Sequence, residues 1–201
     1  MSLKQVIVVG GGLGGLTSAL HLSLHGFSVT LIEKNSYPKH KVCGEYLSNE
    51  VLPYLNSLGF DPFNYGAKKM KQFELSSVGG KSIKAELPLG GFSLSRFTLD
   101  YELLQRAIDK GVTHVQDTVL DIRFVEDRFQ LSLKEGGPME STFVIGAFGK
   151  RSNLDQKLKR HFIHTKAPYL AVKAHYECDY PEDLVGLYHF YGEYCGVSKI
   201  E

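Results

Sequence analysis

Gly10, Gly12 and Gly15, followed by Glu33, are the residues of this chain whose types and spacing most directly predict chemistry. They lie in Val6-Ile7-Val8-Val9-Gly10-Gly11-Gly12-Leu13-Gly14-Gly15-Leu16 and at the end of Val29-Thr30-Leu31-Ile32-Glu33. Gly10 lets the chain turn sharply out of a strand, Gly12 lets backbone approach a pyrophosphate, and Gly15 lets a helix lie close on a sheet. Unpaired amides at the helix start, those of Leu13 and Gly14 included, act with the helix dipole to favour a diphosphate. Glu33 stands where a carboxylate can accept both hydroxyls of an adenosine ribose, which selects an unphosphorylated sugar. Strand, glycine triplet, helix and terminal acid in this order predict an adenine-dinucleotide site.

The elements that must position these residues follow from periodicity. Residues 4–9 and 28–33 read as buried strands, and residues 13–25 as a helix whose Leu16, Ala19, Leu20 and Ser23 share a face. Gly26 is its expected stop. Residues 34–44 are aperiodic and contain Pro38, hence a loop. Ser48 is the expected N-cap of a helix over 49–58. Residues 70–77 and 81–87 flank Val78-Gly79-Gly80 as a hairpin outside the dinucleotide sheet. Thr98 is the expected cap of a helix to residue 110, with Leu99, Leu103, Leu104, Ala107 and Ile108 inward. A parallel strand is predicted at 114–116, and a hairpin over 119–125 and 128–134 turning at Glu126-Asp127. An apolar strand at 142–146 and a short helix at 152–159 follow. Strands at 169–176, 184–191 and 194–200 close the chain. The pattern predicts an α/β fold, a Rossmann-like doubly wound sheet with β-hairpin insertions and the start of a β-rich substrate domain.

Composition excludes several other classes. The chain has 201 residues, 43% of them hydrophobic, and its 23 basic and 22 acidic residues are interspersed to a net charge of +1. No basic block predicts nucleic-acid binding. The apolar N-terminal run is too short to cross a bilayer. Three cysteines at irregular spacing argue against a disulfide framework, so a reducing, cytoplasmic setting is expected.

Three segments in order resemble a known family. Val8-Val9-Gly10-Gly11-Gly12-Leu13-Gly14-Gly15 through Glu33-Lys34, with Lys41-Val42-Cys43-Gly44-Glu45-Tyr46-Leu47-Ser48, resembles the start of the geranylgeranyl reductase branch of the para-hydroxybenzoate-hydroxylase-like flavoproteins. Ser95-Arg96-Phe97-Thr98-Leu99-Asp100-Tyr101-Glu102-Leu103-Leu104 resembles that family's arginine-led helix. Val144-Ile145-Gly146-Ala147-Phe148-Gly149-Lys150-Arg151-Ser152 resembles its Gly-Ala-Asp-Gly segment. The resemblance implies FAD, with its pyrophosphate over Gly10, Gly12, Leu13, Gly14 and Gly15 and its ribose near Glu33 and Lys34. Lys41, Val42 and Gly44 would run beside the ribityl chain and flavin. Arg96 would contact phosphates or ribityl hydroxyls, and Val119 would approach the adenine through its backbone. It also implies an FAD-binding domain over residues 1–165, with an inserted hairpin at about 68–96, and the beginning of a substrate sheet at 166–201.

Cys43 is the one candidate for chemistry beside the flavin, and its reading as a small buried hydrophobe that needs no chemistry stands ahead of that role. Phe148 stands where the family carries an Asp, which puts NAD(P)H as electron donor in question. The chain contains no Gly-Asp pair and therefore lacks the family's second flavin segment, so a truncated product is expected. Trp is absent, and with it the halogenase relatives' motif. His161 and His164 have no carboxylate partner nearby, so no metal site is predicted. Tyr176, Tyr180, Tyr188, Tyr191 and Tyr194 are candidates to line a pocket. The resulting expectation is an oxidoreductase for a hydrophobic (isoprenoid or lipid) or aromatic substrate, working by flavin hydride transfer or monooxygenation. The alternative is a non-catalytic dinucleotide-binding remnant that assembles with another copy through its terminal strands. A nicotinamide-only dehydrogenase accounts for Gly10 to Glu33 but leaves the 41–48 segment and Arg96 unexplained.

Overall fold

The structure is a computed structural model, and it describes residues 4–150, 152–165 and 168–201. Arg151 of the third motif lies outside the described residues, as do residues 166 and 167 at the expected domain boundary. In chain order the elements are β1 (Gln5–Val9), α1 (Leu13–Leu24), β2 (Ser28–Glu33), β3 (Tyr46–Ser48), α2 (Leu52–Ser57), β4 (Lys68–Ser76), β5 (Ser82–Ser93) and α3 (Arg96–Asp109). There follow β6 (Thr113–Gln116), β7 (Val119–Val125), β8 (Arg128–Leu133), β9 (Met139–Ser141), β10 (Phe143–Gly146), α4 (Asn153–Lys157), β11 (Leu184–Phe190) and β12 (Glu193–Ser198). They divide into two units. The first takes residues up to Lys39 and from Asp100 to Leu170, and the second takes His40–Leu99 and Ala171–Glu201.

In the first unit, β10, β1, β2 and β6 form a parallel sheet in that order. The central strands β1 and β2 are continuous apolar runs because both sheet faces are covered. Ile7, Val9 and Ile32 pack on one side with Leu131 and Leu154, joined by Val119, Phe129 and Phe148. Apart from Phe148, which follows β10, these partners come from the antiparallel sheet β7-β8-β9 and from α4. Helix α1 lies against β1 and β2 through buried Leu16, Ala19 and Leu20. It ends as expected: Gly26 has φ +78, its N–H bonds Ser23 O, and Phe27 N–H reaches back to Leu22 O. Glu126 and Asp127 both take positive φ in the β7–β8 turn, the twist that a two-residue hairpin requires. The apolar strand expected at 142–146 forms as β10 at the edge of the sheet, with Phe143 46% exposed.

The second unit holds the sheet β12-β11-β4-β5-β3. The 70–87 hairpin and the final strands, read separately from sequence, share this one sheet, because β11 pairs in parallel with β4. Four further expectations are corrected. The helix at 49–58 splits into a 3-10 turn (Asn49–Val51), capped by Ser48, and α2, with Pro53 in its first turn. Helix α3 starts at Arg96, behind Ser95, rather than at residue 99 behind a Thr98 cap, because the Ser95 hydroxyl accepts the Thr98 N–H at 3.1 Å. Its Ile108 is 42% exposed rather than inward. No strand forms at 169–176: the alternation there is an extended segment with no neighbouring strand to pair with, its apolar side chains in solvent.

Candidate nucleotide and substrate sites

The glycine turn of the first unit is built by close backbone contacts. Gly10 has φ +106, and a Cβ on it would stand 2.3 Å from Ala147 O. The Gly10 N–H bonds Ile32 O at 2.8 Å, and Ala147 N–H bonds Val9 O at 2.8 Å. A Cβ on Gly15 would lie 1.8 Å from Gly10 O, so only glycine lets α1 approach the turn this closely. Gly12 is the N-cap of α1, with extended backbone and no side-chain capping bond, and the first helical turn carries no acid. The amides of Leu13, Gly14 and Gly15 therefore have no intrahelical acceptor. Nothing lies within 4 Å of a Cβ built on Gly14. A diphosphate fits this cradle: it brings acceptor oxygens to unpaired donors at the positive end of a helix dipole.

Glu33 is more occupied than the sequence foretells. Its Oε2 accepts the Gly11 N–H at 2.7 Å. Its Oε1 accepts the Asn35 N–H at 3.0 Å, the Asn35 Nδ2 at 2.7 Å and the Lys39 ammonium at 2.6 Å. Burial pushes its pKa up, but the Lys39 ammonium and the Gly11 and Asn35 amides pull harder, holding it at about 2. The carboxylate thus ties the glycine turn to the loop after β2, and a ribose hydroxyl must share it with these donors. Tyr37 covers the same corner. Its hydroxyl donates to Gly11 O, its ring stands edge-on to His114 at 5.7 Å, and Lys39 lies 5.1 Å from the ring centre. Burial holds the His114 imidazole below its usual range, hence neutral at pH 7.

The sign of the pH effect follows. Glu33 titrates lower in the folded chain than in the unfolded one, so its stabilisation is complete above about pH 4.5 and fades as pH falls towards 2. Glu33→Gln is expected to remove this acid-sensitive component. The urea-midpoint difference between wild type and variant, measured at pH 6 and pH 3, should shrink on acidification.

Lys34 is exposed, and Val119 opens β7 with its side chain against the core. Phe148 also packs against that core. The remaining expected residues lie in the second unit. Lys41 and Arg96 are half-buried, Val42 is 63% exposed, and a Cβ on Gly44 would meet nothing within 4 Å. Cys43 is half-buried, and its Sγ accepts the Glu45 N–H at 3.4 Å.

Sequence reasoning missed the residue beside it. Glu45 is 3% exposed and holds φ 56. Its carboxylate accepts the Arg96 N–H and the Lys173 ammonium, both at 2.6 Å, and pairs with His175 Nε2 at 2.7 Å. Burial raises its pKa, while Lys173, the Arg96 amide and His175 together lower it below the ordinary value. Glu201 serves the same helix start, accepting Ser95 N–H at 2.8 Å, Thr98 Oγ1 at 2.6 Å and the Ser95 hydroxyl. Of the five candidate tyrosines, Tyr180 and Tyr188 join hydroxyls at 3.1 Å, and Tyr188 donates to Glu74 at 3.2 Å. Burial raises the Tyr180 pKa. Tyr176, Tyr191 and Tyr194 are exposed.

Residues 5–42 match the family model described as FAD dependent oxidoreductase (DAO). A menaquinone reductase of Mycobacterium tuberculosis is 26% identical over 188 residues, covering 89% of this chain and 46% of the relative. Digeranylgeranylglycerophospholipid reductase 1 of Methanothermobacter thermautotrophicus is 29% identical over 161 residues, 75% of this chain and 40% of the relative. Among solved structures, CmlS, a flavin-dependent halogenase, superposes with a TM-score of 0.69 at 26% identity, over 79% of this chain and 32% of that one. The chain thus spans less than half the length of these proteins. No helix among the described residues is long and apolar enough to cross a membrane. The glycine turn, the matched segment and the shared fold fit the FAD-dependent flavoprotein superfamily.

Proposed function

We propose that the chain carries the nucleotide-binding part of an FAD-dependent oxidoreductase acting on a hydrophobic, isoprenoid-bearing or aromatic substrate, and that its chemistry is of the reductase type. The observation that carries this reading is the bare start of α1, where glycine backbone and open space meet unpaired amides. The amides of Leu13, Gly14 and Gly15 would hold the pyrophosphate, and Glu33 would share its Oε2 with the adenosine ribose. Lys41, Val42, Gly44 and Arg96 are the residues for the ribityl and flavin end. Bound there, FAD supplies hydride transfer, while the chain supplies orientation, dryness and charge.

The reductase direction has two supports. The 41–48 segment follows the reductase branch, and both curated relatives above are named as reductases. Phe148, an apolar ring in the core where a carboxylate is expected, offers no hydrogen bond to a nicotinamide cofactor. The test is a titration of the purified chain with FAD, read by quenching of flavin fluorescence, with NAD as competitor. Saturable FAD binding that NAD does not displace is expected. Binding of NAD alone would overturn the proposal.

A further inference from the structure

The antiparallel pair of β4 and β5 breaks its register once. Met70 stands opposite Gly91 and Gln72 opposite Glu86, so Lys71 alone faces the four residues Leu87-Pro88-Leu89-Gly90. A bulge of this size bends one strand away from its partner, and the residue types suit it. Pro88 has no N–H to lose from the ladder, and Gly90 takes φ +69. Asn49 pins the bulge, its Nδ2 donating to Leu89 O at 2.9 Å. A Cβ on Gly90 would stand 2.9 Å from that same Nδ2, so glycine serves the tie as well as the turn.

Beside the bulge lies a cleft of about 390 Å³, within the range of small-ligand sites. Leu52 at the start of α2, Phe63 in the 3-10 turn Pro62–Tyr65, and Leu87 and Pro88 of the bulge give it apolar walls. Its charge is of one sign. Lys69 and Lys71 line it, both exposed and hence at its mouth, and no acidic side chain does. The Lys69 ammonium lies 5.2 Å from the centre of the Phe63 ring, which keeps a cation beside the apolar wall. All of these residues belong to the second unit. None is among those proposed for FAD.

We infer that this cleft binds an amphiphilic anion, a single alkyl or prenyl chain that ends in a phosphate or carboxylate. The walls favour each methylene that they remove from water. The two ammoniums at the mouth meet one anionic head, which offers an oxygen to each. An aliphatic alcohol would gain the walls without the charges, and inorganic phosphate the charges without the walls. The inference is independent of the flavin reading.

The test titrates nitrogen-15-labelled protein with octyl phosphate below its micellar concentration, with octanol and with inorganic phosphate, and follows amide chemical shifts. Octyl phosphate should shift the Gly90 and Gly91 amides saturably. It should bind at least about tenfold more tightly than either partial mimic. Lys69→Met/Lys71→Met should raise its Kd about tenfold, two exposed charge contacts being lost, and leave octanol binding unchanged. Both lysines are exposed, so the double variant keeps its fold, which circular dichroism checks. Lys81→Met/Lys84→Met removes two ammoniums of the same hairpin outside the cleft and should change the affinity by less than about twofold, because distant exposed charges are screened. Inorganic phosphate binding as tightly as octyl phosphate, equal losses in the two double variants, or shifts that bypass Gly90 and Gly91 would each overturn the inference. Sedimentation with phosphatidylglycerol vesicles separates the two sources of such a ligand. Vesicle binding that Lys69→Met/Lys71→Met abolishes assigns the cleft to a membrane lipid. Octyl phosphate bound in the cleft without such vesicle binding assigns it to a free amphiphile, and either result upholds the site.

Discussion

Gly12→Val should abolish FAD binding while leaving the chain folded. Gly12 caps α1 in an extended conformation, φ −83 and ψ −177, which a β-branched residue adopts readily. Glycine ranks far above valine as an N-cap, so the substitution costs about 1 kcal/mol of helix stability, too little to unfold the chain. The two methyl groups of valine, however, would stand where the backbone must come within reach of the pyrophosphate. The diphosphate would then forgo charge-assisted hydrogen bonds from several first-turn amides, each of the order of 1.5–3 kcal/mol. A loss of affinity of at least about a hundredfold is expected. Flavin-fluorescence titration measures it, and a melting temperature within a few degrees of wild type shows that binding, not folding, has been removed. Retained affinity would mean that the diphosphate does not use this turn.

Gly15→Ala should do the reverse, damaging the fold first. The new methyl would sit 1.8 Å from Gly10 O, a backbone atom that cannot swing aside as a side chain can. Either α1 lifts from β1 or the turn at Gly10 opens, and Gly10 is itself fixed by Ala147 O at 2.3 Å from its Cβ position. Overpacking of this kind costs about 3 kcal/mol. For a chain of this size that lowers the melting temperature by roughly 6–12 °C. Differential scanning calorimetry of Gly15→Ala beside Gly14→Ala, whose methyl meets nothing within 4 Å, separates the clash from the general effect of replacing glycine. Equal melting temperatures for the two variants would contradict the packing described for α1.

These two glycines also show why the nucleotide end is legible in the sequence. A turn, its helix and the acid on the next strand lie within about thirty residues, and each states its backbone need by residue type. Gly26 and the Glu126-Asp127 turn are readable for the same reason. The limit appears where partners come from afar or from geometry without a residue signature. Lys39 lies only six residues beyond Glu33, yet nothing in the spacing says that the intervening loop folds back to place its ammonium on Oε1. Lys173 and His175 alternate with apolar residues as a strand would, and they meet Glu45 across separations of 128 and 130 residues. Sequence places the start of α3 three residues late because Ser95 and Thr98 are both competent caps, and Glu201 reaches both from the far end of the chain. In the second sheet, the apolar–polar alternation of each strand is visible in the residues. The parallel partnership of β4 and β11 is not.

That partnership bears on how the protein is made. Leu184 lies beside Gln72, and the whole of the intervening polypeptide must be synthesised before they can meet. The β4 edge therefore leaves the ribosome with its amides unsatisfied and waits, while Lys71 and Gln72 lack the Asp183 carbonyl that later accepts from both. Such distant, same-direction strand pairing is kinetically slow, and an open edge is the surface on which nascent chains associate wrongly. Yield in a heterologous host should accordingly respond more to chaperone supply and growth temperature than to the amount of flavin provided.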